Sequence, residues 1–293
     1  MMILIFQTPH QFMTTLAGFS AIFLWGLLAT LSVSSSAIPS FQLLFICFFV
    51  SFLLLLIKRM LRGMPLFSLP TLSAGQWLVQ VGSLFGFHWC YFEAIRQAPA
   101  IEVSLIAYLW PLLLGIFVAK AGNRLLALAG GVIGFAGTAT LLLNNSDVGF
   151  EARHISGYLL AATCALIWSG YSYFLSASHS NVDDIGWVSL AVAILALVFH
   201  GFTEVTHWDL TTGEWLSALL LGLGPVGGAF YLWDIGMKRG NRALLASLSF
   251  TTPVISSIAL FMFGFSPLNT AVLTALGLIL TGALVANVRQ FSG

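Results

Sequence analysis

Two prolines, Pro111 and Pro253, stand 142 positions apart, each deep inside an apolar run that reads SLIAYLWP in the first case and ASLSFTTP in the second. Proline has no backbone N–H, and its ring clashes with the carbonyl four residues back. Each proline therefore interrupts a helix and frees a carbonyl, that of Ala107 in the first run and of Ser249 in the second. In hydrocarbon such a break is tolerated only against protein or a water-filled cavity. Side chains able to hold a polar solute flank both breaks: Ser104, Tyr108 and Trp110 in one, Ser247, Thr251 and Thr252 in the other. A single proline is commonly just a kink in a membrane helix. A matched pair, one in each half, points instead to a transport site near mid-membrane, with Pro111 and Pro253 as hinges.

His88 is the clear ionisable side chain at mid-depth of an apolar span, and such a residue is a functional candidate by default. It could carry a proton near neutral pH, or stay neutral and close a polar gap. Of Trp25, Trp89, Trp110, Trp168, Tyr91, Tyr108, Tyr171 and Tyr231, several lie toward the middle of spans rather than at their ends, where interfacial aromatic belts are expected. With the hydroxyls beside the prolines they describe an aromatic, nearly uncharged cavity able to take ring-bearing solutes. The absence of a central Asp or Glu speaks against a polyspecific cation pump and against an intramembrane aspartyl protease. A zinc site would need clustered ligands, and His88 has only Cys90 nearby, on another helix face. A serine hydrolase reading has no nucleophile motif behind it. No enzyme, metal or cofactor is expected. The run GLGPVGG from Gly222 to Gly228 matches a dinucleotide fingerprint by spacing alone, but it lies within an apolar span, with no strand before it. Its Pro225 makes a third hinge candidate.

These residues must be held by elements that cross a bilayer. The chain has 293 residues, 59% of them hydrophobic and 7% charged, with a mean hydropathy of +0.98. Soluble domains carry roughly a quarter charged residues, so this is an all-α integral membrane protein in contact with lipid, and its charge balance gives no sign of nucleic-acid binding. A spanning helix needs about 20 apolar residues. Ten such runs are expected, over residues 14–34, 40–57, 71–95, 98–119, 124–143, 155–178, 185–203, 213–236, 242–263 and 267–288. With the N-terminus inside, nine basic residues (Lys58, Arg59, Arg62, Lys120, Arg124, Lys238, Arg239, Arg242 and Arg289) fall on the inner side and two (Arg96, Arg153) on the outer. That bias puts both termini in the cytoplasm. Cys47, Cys90 and Cys164 all lie in apolar runs, and no disulfide is expected.

Matches between the halves suggest a duplication: Trp25 with Trp168, the GQWL at Gly75 with the GEWL at Gly213, and the two prolines. Five spans per copy is an odd number, so the second copy enters the membrane inverted. The expected repeats are residues 1–146 and 147–293, around a central cavity. Glycines four apart, Gly82 with Gly86, Gly130 with Gly134 and Gly224 with Gly228, are expected helix-packing seams. Glu93, Arg96 and Glu102 are expected as one surface ion-pair set, Asp234 with Lys238, Arg239 and Arg242 as another, and Asp183 and Asp184 as ordinary loop residues.

On the paired Trp25 and Trp168, the paired Pro111 and Pro253 and the stretch FHWCYFEAIRQAPAIEVSLIAYLWP from Phe87 to Pro111, the chain resembles the EamA-type exporters of the drug/metabolite transporter superfamily along its whole length. Within them it is most similar to bacterial aromatic amino acid exporters. The resemblance implies an exporter of the bacterial inner membrane whose cavity is walled mainly by spans 1, 3, 4, 6, 8 and 9. It implies an amino acid as the small-molecule substrate and singles out Trp25, His88, Tyr108, Trp110, Trp168, Ser247, Thr251 and Thr252 as the positions around it. A different metabolite or a drug is the alternative cargo, since these motifs are shared across the superfamily.

Overall fold

In a computed structural model, which describes residues 8–144, 149–265 and 270–288, every regular element is helical. The boundary expected between residues 146 and 147 and the basic residue Arg289 lie outside the described residues. The helices are α1 (Pro9–Gly26), α2 (Leu28–Val33), α3 (Ser40–Leu61), α4 (Ala74–Gln97), α5 (Ala100–Ala107), α6 (Trp110–Val118) and α7 (Arg124–Leu143). They continue with α8 (Ile155–Ala177), α9 (Asp184–Thr203), α10 (Thr212–Leu223), α11 (Gly228–Arg239), α12 (Arg242–Leu248), α13 (Thr252–Met262) and α14 (Ala271–Asn287). Among the described residues eight helical stretches are long and apolar enough to cross a membrane. Helix α4 and the shorter apolar α14 fill the positions of the remaining two expected spans.

Helix starts follow local chemistry. Ser73 and Gln76 form a reciprocal capping box at α4, and Thr211 and Glu214 form one at α10. Pro9 opens α1, where its missing N–H costs nothing.

Four spans are interrupted. The α5–α6 span breaks at Tyr108 and Leu109, just before Pro111, and the α12–α13 span passes through a 3-10 turn at Ser249–Thr251, just before Pro253. The α10–α11 span breaks around Pro225, where a Cβ on Gly227 would stand 1.8 Å from the Gly222 carbonyl oxygen. Only glycine fits that turn. The fourth break, at Leu27 between α1 and α2, carries no proline; the Ile255 side chain on α13 packs where a Cβ of Gly26 would be.

The helices pack in antiparallel pairs. Along α7 and α14, Gly130 meets Gly282 and Ala286 while Gly137 meets Ala275 and Ile279. Along α3 and α9, Ser51 and Ser189 share a 2.9 Å hydrogen bond, and Lys58 at the end of α3 pairs with Asp183 at the start of α9. On α1 and α11, Trp25 meets Pro225 and Gly18 meets Gly236. On α4 and α8, Phe87 meets Cys164 and Ala94 meets Gly157.

The glycine expectations divide. Gly130 and Gly134 form the expected seam, whereas a Cβ on Gly82 would meet nothing within 4 Å and one on Gly86 only Ile167 at 3.6 Å. Gly224 and Gly228 sit at a helix break, against their own chain.

The charges also differ from expectation. Asp183 is buried between Lys58 and Arg59 rather than solvated, and Asp184 caps Thr71 and Asn181. Arg96 pairs with Glu93 at 2.7 Å as expected, but Glu102 leaves that set: it is buried and accepts from the Tyr158 hydroxyl and the Gly149 N–H. Asp234 is fully buried and pairs with Lys238 at 2.8 Å, inside the span rather than on its surface.

Candidate functional site

The interruptions of the α1–α2, α5–α6 and α10–α11 spans meet a cavity of about 280 Å³, near the lower end of the roughly 300–1,000 Å³ usual for small-molecule sites. Its walls come from α1 and α2 (Trp25, Leu28, Ser32), the start of α3 (Leu43, Leu44, Cys47) and the second half of α4 (Phe87, His88, Tyr91, Phe92). The α5–α6 break adds Ser104, Tyr108 and Trp110; α8 adds Trp168; the α10–α11 break adds Leu221, Pro225, Val226 and Phe230; and α13 adds Thr252. These positions lie in the halves of the helices far from the chain's N-terminus. No Asp, Glu, Lys or Arg is among them.

Eight of the twenty lining residues are Phe, Tyr or Trp, and the rings hold one another. Trp25 packs edge-on to Trp168 at 5.4 Å and to Trp110 at 6.3 Å, and stands 5.1 Å from Trp233. Trp110 reaches Trp168 at 6.2 Å and Trp233 at 5.9 Å, both near-perpendicular. Such geometry sets the positive ring edge against the negative face, contributing about 0.5–1.5 kcal/mol per pair beyond burial. The Trp25 indole N–H donates to the Pro225 carbonyl at 3.0 Å, and that of Trp233 donates to the Ser172 hydroxyl at 3.0 Å.

His88 lies among rings, edge-on to Phe48 at 5.5 Å and to Phe87 at 5.2 Å. Its Nδ1 stands 2.7 Å from the Leu84 carbonyl oxygen. A carbonyl only accepts, so Nδ1 carries the proton, and in the neutral ring Nε2 remains as an acceptor. The hydroxyls of Ser32, Ser104, Tyr91 and Tyr108 line the cavity and make no hydrogen bond among the described residues. Polar capacity is thus sparse and unspent, in an apolar surround where each hydrogen bond counts for more.

Of the expected positions, Trp25, His88, Tyr108, Trp110, Trp168, Pro225 and Thr252 are brought to this cavity. Ser247, Thr251, Pro111 and Pro253 are not among its lining residues. The α12–α13 break uses its own hydroxyls to satisfy its carbonyls: Thr251 Oγ1 donates to Leu248 at 2.6 Å, Thr252 Oγ1 to Ser249 at 2.9 Å and Ser247 Oγ to Ala243 at 3.0 Å. Thr138 donates to Phe250 at 3.3 Å. The Ser249 carbonyl that Pro253 frees is therefore already occupied and does not face a solute.

A second hollow, of about 680 Å³, lies at the face that carries the N-terminus, with Gln11, Pro111, Lys120, Lys238, Arg239, Arg242, Ser247 and Phe250 in its walls. The two hollows share no lining residue. Trp110 faces one and Pro111 the other. On α11, Phe230 lines the first, Lys238 lines the second, and the fully buried Trp233 between them lines neither. Trp25, Trp110, Trp168 and Trp233 thus pack into one cluster, three of them lining the aromatic cavity.

Trp233 and two buried ion pairs escape a reading by composition. Trp233 stands close to the end of its apolar run in sequence, yet it closes the indole cluster. His200 and Glu204, four apart, are buried and 2.8 Å from each other, with Glu204 capping the Phe41 and Gln42 N–H groups that open α3. Asp234 and Lys238 have the same spacing, and that i,i+4 pairing of opposite charge within an apolar run was the available signal.

The EamA-like transporter family matches residues 155–288. An aromatic amino acid exporter, YddG of Ancylobacter novellus, is 41% identical over 93% of this chain and 96% of its own. YddG of Salmonella typhimurium, also an aromatic amino acid exporter, is 26% identical over 66% of this chain and 68% of its own. An uncharacterized transporter of Bacillus subtilis, YvbV, is 28% identical over 67% and 66%. A solved crystal structure 37% identical to this chain superposes with a TM-score of 0.87, covering 95% of this chain and 98% of the other.

Proposed function

We propose, because this chain belongs to the EamA-like transporter family of membrane exporters, that it carries aromatic and other hydrophobic amino acids out across the bacterial inner membrane by alternating access. The observation that carries the reading is the cavity wall, rich in indole, phenyl and phenol rings, with unspent hydroxyls and one imidazole acceptor and no fixed charge. Such a wall takes an aromatic side chain by ring packing. The ammonium of the solute is met by Tyr108, Ser104 and His88 Nε2, and also by the ring faces through cation–π attraction. Trp25, Trp110 and Trp168 bear on the ring, and Thr252 closes the inner edge. Ser247 and Thr251 act indirectly, by satisfying the bent α12–α13 backbone.

The architecture proposed is ten spans in two inverted repeats of five, with both termini cytoplasmic. Support comes from the pairing of helices: α7 with α14 and α3 with α9 are each antiparallel, and the antiparallel pair of α1 with α11 has its counterpart in α8 with α4. Pro111, Pro225 and Pro253 mark the places where the spans bend, and the indole cluster is what must open. The inner hollow then faces the cytoplasm and the aromatic cavity the outside.

Export of phenylalanine, tyrosine and tryptophan from loaded proteoliposomes, against threonine and a sugar phosphate, tests the assignment. Faster export of the three aromatic substrates is expected. Equal rates for all five would remove the aromatic claim.

A further inference from the structure

We propose that the 680 Å³ inner hollow is a binding site for a phosphate group. It lies between the turn joining α6 to α7, which supplies Lys120, and the turn joining α11 to α12, which supplies Lys238, Arg239 and Arg242. No carboxylate is among its lining residues. A positive-inside bias explains why cations lie on this face, but not why they converge on one concavity. On the same face Lys58 and Arg59, outside the hollow, both reach Asp183.

Within the hollow the charge is only partly spent. Lys238 is held by Asp234 and by Ser180, and Arg242 donates to the Met237 and Lys238 carbonyls. The side chains of Lys120 and Arg239 form no ion pair or hydrogen bond among the described residues. Like charges gathered in a concave, protein-walled space focus a positive potential. Arginine and lysine together suit phosphate, one by its planar fork and the other as a compact charge. Basic pockets between helices at this face also lie at the level of lipid head groups. The phosphate can therefore come from a soluble phosphate ester or from an anionic lipid of the inner leaflet.

Two arms distinguish the sources. The full chain in phosphatidylcholine nanodiscs is titrated with inorganic phosphate by calorimetry. In parallel, the chain extracted from vesicles of phosphatidylcholine and phosphatidylglycerol is weighed by native mass spectrometry for retained phosphatidylglycerol. A Lys120→Gln/Arg239→Gln variant is expected to lose about tenfold or more in affinity in one arm, the scale of a lost charge-assisted hydrogen bond. A Lys120→Arg/Arg239→Lys variant is expected to keep it. Loss in the phosphate arm assigns a soluble ligand, and loss in the lipid arm assigns a head group. Equal binding by wild type and the glutamine variant in both arms, or saturable binding in neither, overturns the site. Should the glutamine variant fail to fold, the wild type decides. A saturable, phosphate-induced rise in melting temperature that chloride at equal ionic strength does not reproduce, or retention of phosphatidylglycerol over phosphatidylcholine, upholds the site, and absence of both overturns it. No arm reads transport, so the proposed cargo stands or falls separately.

Discussion

The Trp25 indole N–H donates to the Pro225 carbonyl at 3.0 Å, joining the end of α1 to the break between α10 and α11 across 200 positions of chain. Beside a proline this carbonyl belongs to an interrupted helix and has lost its usual partners, so the bond does double service: it fixes the indole's tilt and satisfies the break. Trp25→Phe keeps a ring but orphans the carbonyl, and is expected to cost about 1–3 kcal/mol of stability. The reading is the thermal midpoint in detergent together with the rate of tryptophan export, and both should fall.

His88 separates a structural from a recognition role. His88→Phe retains an aromatic ring among Phe48, Phe87 and Phe230 but removes the Nε2 acceptor. About a tenfold rise in KM is expected for tryptophan and leucine alike, the worth of one hydrogen bond to the ammonium they share. A loss confined to tryptophan would place the imidazole's partner on the indole N–H instead.

Asp234 and Lys238 are both buried, with side chains 0% and 6% exposed. Breaking such a pair from one side leaves an uncompensated charge, so Asp234→Asn is expected to lose about 3–5 kcal/mol. The double variant Asp234→Asn/Lys238→Met should recover much of it. A double-mutant cycle on thermal unfolding measures the coupling, and additive losses would show that the pair is not a unit.

Gly130 and Gly82 make a paired test of packing. A Cβ on Gly130 would stand 2.3 Å from the Gly282 carbonyl oxygen and 2.6 Å from the Ala286 nitrogen, so Gly130→Ala must push α7 off α14, at about 1–3 kcal/mol. Gly82→Ala meets nothing within 4 Å and should be neutral or mildly stabilising. Melting temperatures of the two variants decide between a local contact and a general intolerance of alanine.

Thr252→Val removes the side-chain donor to the Ser249 carbonyl at 2.9 Å while keeping the side chain's shape, and leaves the Thr252 N–H donating to the same oxygen. The expected cost is about 0.5–1.5 kcal/mol, restored by Thr252→Ser. Recovery of the melting temperature in the serine variant is the check.

Much of the helical layout could be read from hydropathy, because crossing hydrocarbon demands length and apolarity that few other folds require. The breaks at Pro111, Pro225 and Pro253 were readable because proline removes a specific donor. The break at Leu27 was not, since no proline marks it and the Ile255 side chain packed against Gly26 there comes from a distant helix. Trp25, Trp110 and Trp168 could be placed by their positions within spans, whereas Trp233 required knowing which face of α11 turns inward. Ser247 and Thr251 lie outside the cavity lining for a local reason: serine and threonine in a helix readily return their hydroxyls to carbonyls three or four residues back, here Ala243 and Leu248. Asp183 shows the same limit for charge. Whether a loop aspartate is solvated depends on what the neighbouring helix end brings to it, here Lys58 and Arg59.

The cluster of four indoles also bears on the bioenergetics of the host cell. A membrane that stores a proton-motive gradient cannot tolerate an aqueous thread through one of its proteins, however briefly the cargo passes. Bulky rings packed against one another, one of them sealed from solvent altogether, leave little room for such a thread where they meet. The ring contacts that hold the cluster together thus also oppose ion leakage past it.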